Sequence, residues 1–156
     1  MMRIDLNANP GESFGPWALC DDAQMMSIVT SANIANGGDA SDPDTMYRTL
    51  ALARDNGPNL GAHPGCTDRE GSGRRVIPMS PDEIGRICAA QIGALMGISA
   101  QVGLPVRYVK PRGALGNMAV HSVGAHGGSA GALGMAREIR KRLTAHGVQI
   151  TKFLMP

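Results

Sequence analysis

The stretch VRYVKPRGALGNMA, residues 106–119, decides how the rest of the chain is read. Val106 to Val109 is a β-branched run of the kind that makes a buried strand, and it drives directly into Lys110, Pro111 and Arg112. Glycine-spaced small residues and one carboxamide, Asn117, follow. Two cations and an amide just past a strand have an ordinary explanation, a strand end reaching water. They also have a functional one, because open and barrel-shaped α/β folds bind ligands at the carboxyl ends of their strands. The choice depends on whether other strands end in the same way.

Working outward, helix and strand signals alternate. Residues 3–6, RIDL, read as a first strand ending in the polar loop NANPGESFG, and residues 21–32 as a helix opened by Asp21 or Asp22. In SDPDTMYRTLALARDNG, Asp42 suits an N-cap and Pro43 the first helical position; Met46, Leu50 and Ala53 share a face, and Gly57 stops the helix. A short strand, LGAH, follows at 60–63. The clearest helix begins at SPDE, 80–83, where Ser80 and Glu83 form a capping box around Pro81. Ile84, Ile87, Cys88, Ile92, Leu95 and Met96 then recur at three and four, and Gly103 ends the helix before the VRYV strand. A last helix is expected over 129–147, with a terminal strand near VQITKF. Strands alternating with helices imply parallel βαβ units in a single domain over 1–156.

Polar residues fall at the strand ends. Asp5 and Asn7 finish or follow the first strand, His63 finishes the second within AHPGCTD, and Lys110 and Asn117 follow the third. Each has a bland explanation in loop and turn chemistry. In a parallel sheet, however, these ends point the same way, so the set is expected to converge on one rim.

Composition bounds the function. A chain of 156 residues with 43% hydrophobic residues suffices for one core. With 18% charged residues and a formal net charge of +2, neither sign dominates. The one dense basic cluster, REIRKRL at 137–143, reads as a solvated helix end rather than a nucleic-acid patch, and 3% aromatics argue against base-stacking platforms. Cys20, Cys66 and Cys88 have no paired metal spacing and fit a reducing compartment, with Cys88 on an apolar helix face. No apolar run is long enough to span a bilayer, and the amino terminus lacks a signal-peptide core. The expectation is a soluble, cytoplasmic protein that binds neither nucleic acid nor membrane.

Four motifs, IDLNANPGESFGPW (4–17), TSANIANGGDASDP (30–43), GAHPGCTDREGSGRR (61–75) and VKPRGALGNMA (109–119), resemble in order and spacing the LamB/YcsF family. VGAHGGSAGALGMAREIRKRLTAHGV resembles the end of the same family, whose members are considerably longer, so an internal deletion with a junction near Ala119 to Ser122 is expected. The resemblance implies a parallel β/α barrel-like fold of the deacetylase type, here truncated or incomplete. Removing strands from a closed barrel exposes sheet edges, which makes a homodimer an expectation too.

The resemblance further implies the A subunit of ATP-dependent 5-oxoprolinase, which opens 5-oxoproline to glutamate with ATP as cofactor and other oxoprolinase subunits as partners. Asp5, Asn7, Glu12, Asn33, Asp42, His63, Asp68, Lys110 and Asn117 match the family pattern. Among them Asp5, His63 and Lys110 are the catalytic candidates; the others are candidates for holding substrate. Departures fall at Asn9 for an Asp, Asp39 at the end of a Cys-Gly-Phe-His run, Arg112 for a His, Gly116 for a Tyr and Gly128 for an acidic residue. Arginine stays protonated and offers no lone pair, so a metal or acid/base set built from those positions is expected to be disabled. Asp39 alone is weak as a ligand for a hard cation, and no metal ligands are assigned. The chain has no G-x-x-x-x-G-K-[ST] loop; GSGRR, 71–75, is only a weak phosphate signal. Two functions follow: an enzyme subunit, or a catalytically impaired remnant acting as a binding module.

Overall fold

The computed structural model describes residues 5–123. The helix expected at 129–147, the strand near VQITKF and the first two residues of RIDL lie outside them. Eight elements follow in chain order: β1 (Asn7–Ala8), α1 (Asp22–Met26), β2 (Ser31–Ala35), α2 (Pro43–Asn56), β3 (Asn59–His63), α3 (Pro81–Val102), β4 (Tyr108–Val109) and α4 (Gly113–Val123). The strands form one parallel sheet in sequential order, β1-β2-β3-β4. That order positions everything else. Right-handed crossovers repeated in one direction carry the connecting helices to a single face of the sheet. Among the described residues the other face is left without helices, as the inner wall of a β/α barrel would be.

The helical boundaries follow local chemistry. Asp42 caps α2 by accepting from Thr45 N at 2.9 Å, with Pro43 in the first turn. Ser80 and Glu83 complete the capping box of α3, whose Ser80 N donates to Glu83 Oε2 at 2.7 Å. Both helices end on a left-handed glycine, Gly57 at φ 75° and Gly103 at φ 73°. Met46, Leu50 and Ala53 of α2 and Ile92 and Leu95 of α3 then pack on Ala32, Ile34, Leu60 and Ala62 of the sheet. A smaller cluster joins Cys66, Ile84, Ala114 and Leu115, and half-buried Cys88 bridges both clusters as a core residue. No helix among the described residues is long and apolar enough to cross a membrane.

Three sequence expectations are corrected. The first strand lies at Asn7–Ala8, whereas Asp5 and Leu6 precede it, Leu6 O accepting from Thr30 N at 2.8 Å. The helix expected over 21–32 stops at Met26, and Ser31–Ala35 is a central strand with every residue buried. SANIA alternates polar and apolar over only five residues and has one β-branched residue, a weak strand signal. Finally, Asn117, read as a strand-end group following the third strand, lies on helix α4.

Candidate functional site

Register sorts the side chains of the sheet into two faces. Asn7 pairs with Ser31, Gly61 with both Asn33 and Tyr108, and Ala35 with His63. Alternation therefore places Asn7, Ser31, Asn33, His63 and Tyr108 on one face, and Ala8, Ala32, Ile34, Leu60, Ala62 and Val109 on the helix-covered face. Extending each strand by its own period adds Asn9 and Lys110 to the polar face.

Amides dominate this face. Asn33, fully buried, donates from Nδ2 to Asn7 Oδ1 at 2.5 Å, Asn9 Oδ1 at 2.7 Å and Ala8 O at 3.2 Å. Asn7 Nδ2 donates to the Tyr108 hydroxyl at 3.2 Å. The Tyr108 ring lies flat across Gly61, where any Cβ would stand inside it, so glycine is needed there for the close approach. Lys110 Nζ donates to Asn7 Oδ1 at 3.1 Å and Asn9 Oδ1 at 3.4 Å. Those partners are neutral, and Lys110 forms no salt bridge among the described residues. Its side chain is exposed, so an anion can reach it.

His63 sits beside Lys110 across the β3–β4 pairing and is 3% exposed. Its Nδ1 lies 2.5 Å from the Lys110 carbonyl oxygen, an acceptor only, so the proton is on Nδ1 and the lone pair on Nε2. Burial lowers its pKa from the ordinary 6.5 to about 4; the Lys110 carbonyl opposes the shift, and the Arg112 and Lys110 charges reinforce it. The ring is neutral at neutral pH. A depressed pKa on a cationic acid means the unfolded chain binds the extra proton first, so stability falls as pH drops from about 6.5 to about 4 and is level below. Over that window His63 should contribute roughly 3 kcal/mol of pH-dependent stability. Urea midpoints at pH 7 and pH 4.5 should differ clearly less in His63→Asn than in the native chain; equal differences would contradict the burial assignment.

The remaining candidates divide. Asp5 belongs to the polar face but lies at its amino end, accepting from Thr30 Oγ1 at 2.6 Å and Ser31 Oγ at 2.8 Å. Four strand residues, about 13 Å, separate the levels of Ser31 and His63. One small ring does not bridge those two levels, so Asp5 and His63 stand at opposite ends of the face, while the Lys110 ammonium reaches Asn7, which pairs with Ser31. Tyr108, bonded to Ser31 as well as Asn7, links the two ends through a polar line. Asp42 is occupied as a cap: burial opposes its charge, but hydrogen bonds from Thr45 and Gly15 prevail and hold its pKa at about 2. Asp68, side chain 1% exposed, accepts from Gly71 N at 3.0 Å and from Arg75 Nε at 2.9 Å within its own loop. Asn117 is exposed on α4.

Sequence reading missed the cluster that binds the rim together. Arg112 is buried, and its guanidinium pairs with both oxygens of Glu12 and, through Nε, with Asp39 Oδ2. Nε also lies 3.5 Å from Ser72 O. One side chain thus touches the segments following β1, β2 and β3 from the segment following β4. Arg112 was legible as a cation out of place; its two acidic partners, 100 and 73 positions away, were not. Gln91 of α3 was missed too: it accepts from Gly65 N at 3.1 Å and donates to Gly65 O at 2.8 Å, fixing the turn after His63.

These residues do not fit a divalent metal. The carboxylates nearest the rim are engaged by the guanidinium, and no group of three or more His, Cys, Asp or Glu suited to an ion occurs among the described residues. A nucleotide polyphosphate fits no better at the starts of the long helices, because Asp42 and the Ser80–Glu83 box already take those amides. A concavity of about 660 Å³ lies apart from the polar face, between residues 13–23 and α2, lined by Trp17, Leu19, Thr45 and Arg48; none of the amide network lines it.

Comparison with known proteins shows the family and the fold. A family model described as the LamB/YcsF family matches residues 4–122. The second 5-oxoprolinase A subunit of Agrobacterium fabrum is 53% identical over 117 residues, covering 75% of this chain and 46% of the relative. The 5-oxoprolinase A subunit of Ruegeria pomeroyi is 50% identical over 118 residues, 76% of this chain and 47% of its own. The crystal structure of a lactam utilization protein from Thermus thermophilus matches with a TM-score of 0.82 at 36% identity, over 93% of this chain and 55% of that one. The parallel sheet is thus part of a barrel-like β/α fold. The chain spans about half the length of the curated relatives it matches.

Proposed function

The chain belongs to the LamB/YcsF family, and from that premise we propose that its polar sheet face takes 5-oxoproline as part of a 5-oxoprolinase. The observation that carries this reading is the exposed Lys110 ammonium, held over the oxygens of Asn7 and Asn9 with no carboxylate partner among the described residues. The substrate is a five-membered lactam bearing one carboxylate. Lys110 suits that carboxylate, and Asn7 and Asn9 offer donors and acceptors to the lactam N–H and C=O.

Water must then add to the lactam carbonyl while the C–N bond breaks, giving a second carboxylate and a free amine. His63 Nε2, neutral and next to Lys110, is the group suited to take the proton of that water. Asp5 remains the candidate at the far end of the face, where it fixes Thr30 and Ser31. ATP is needed by the reaction as a whole. Since the capped helix starts offer it no phosphate site, we assign it to the partner subunits that the naming of the relatives as A subunits implies.

A second reading rests on Arg112. It consumes Glu12 and Asp39, leaving the carboxyl-end rim without a free carboxylate from either, and a chain so arranged would bind substrate or partner subunits without turnover. Glutamate release with ATP and the other oxoprolinase subunits, beside calorimetric titration of the chain with 5-oxoproline, separates the two. Turnover supports the enzyme; binding without turnover supports the binding module; the absence of both would overturn the 5-oxoproline assignment.

A further inference from the structure

Four parallel strands end at one rim, and each is followed by a segment that brings a polar group there: Glu12 after β1, Asp39 after β2, the Ser72 carbonyl after β3 and Arg112 after β4. Two carboxylates facing each other at low exposure need a cation between them. A diffusible ion could supply it. Instead the chain supplies a guanidinium. Its planar fork pairs with both Glu12 oxygens along one edge, while Nε faces Asp39 and the Ser72 carbonyl. We propose that Arg112 is the resident cation of this rim, standing between Glu12 and Asp39 where a divalent ion would otherwise be held, so that the rim excludes divalent metals.

Glycines on neighbouring segments match the arrangement. A Cβ at Gly65 would collide with Asp39 Oδ1, one at Gly73 would come within 2.9 Å of Asp39 Cγ, and one at Gly113 would meet the Gly73 carbonyl. The segments therefore close directly onto the charged cluster. This follows from geometry alone and is independent of whether 5-oxoproline is the substrate.

The test uses Mn²⁺, whose preference for oxygen and nitrogen keeps it off the thiols of Cys20, Cys66 and Cys88. The metal-free full chain is titrated with MnCl₂ while the free Mn²⁺ signal is followed by electron paramagnetic resonance. The native chain should bind no Mn²⁺ that depends on Glu12. Arg112→His, which frees both carboxylates and adds a neutral ligand, should bind about one Mn²⁺ per chain, roughly a hundredfold tighter than any residual surface binding by the native chain, with a raised Tm at saturation. Adding Glu12→Gln to Arg112→His should abolish the gain. Should Arg112→His fail to fold when metal-free, Mn²⁺ in the refolding buffer should rescue it and EDTA should not. Native binding that Glu12→Gln removes, a folded Arg112→His without the gain, or failure of the rescue would each overturn the proposal.

Discussion

Arg112→Ala is expected to cost the folded chain about 3–5 kcal/mol, measured as the loss in urea unfolding free energy at pH 7. Marginal folds have only about 5–15 kcal/mol to lose, so part of the population should unfold at room temperature. The magnitude follows from what is left behind rather than from what is removed. The Asp39 side chain is 2% exposed, and its Oδ2 has no aligned hydrogen-bond donor and depends on the guanidinium for balance. Burial pushes its carboxyl pKa up while the Arg112 charge pulls it down, so without Arg112 only a backbone hydrogen bond still opposes the upward push. Glu12, one quarter exposed, can turn toward water; Asp39 cannot.

The same argument fixes a contrast. Glu12→Gln, Asp39→Asn and Arg112→Gln made together remove all three charges, the two acid changes at constant volume, so the triple variant should lose less than Arg112→Ala alone. A single variant within about 1 kcal/mol of native would show that the cluster is solvent-relaxed and would undo the argument.

Much of the scaffold was legible because its signals are local. Asp42–Pro43, the Ser80–Glu83 box and the glycines at 57 and 103 each act within one helical turn, and α2 and α3 stand where they point. β2 was misread because its alternation runs over only five residues with one β-branched side chain, and because Asn33 looks polar in sequence. In the fold Asn33 is fully buried, its amide saturated by Asn7, Asn9 and Ala8. That strand is the middle of the candidate site, so missing it hid the amide network as well. Lys110 and His63 were found from their place at strand ends, a topological signal. Asp5 looked equivalent only because its strand was taken to be two to four residues too early; moved to Asn7–Ala8, the strand leaves Asp5 before its start. The Arg112 cluster was illegible for a different reason: its partners are distant in sequence, and pairing across folded loops leaves no periodic trace.

Lys110→Met separates the function of the polar face from its stability. Lys110 is exposed, its hydrogen bonds go to neutral amide oxygens, and no salt bridge among the described residues depends on it. Its loss should change unfolding free energy by no more than about 0.5 kcal/mol. For the ligand the effect should be large. A carboxylate on an ammonium within a partly water-excluded face is a charge-assisted interaction of about 1.5–3 kcal/mol, or roughly 10–100-fold in affinity. Because the substrate carboxylate keeps its charge throughout ring opening, Lys110 holds ground state and transition state alike, so the loss should fall on KM with kcat little changed. Where the chain binds without turnover, the same factor should be read in Kd by calorimetry. Lys110→Arg should recover part of the affinity, since it restores charge but not the point geometry above Asn7 and Asn9. A Lys110→Met protein whose KM and Kd both stay within threefold of native would leave the carboxylate without its proposed partner. A fall confined to kcat would move Lys110 from holding the substrate to stabilising charge that develops only in the reaction.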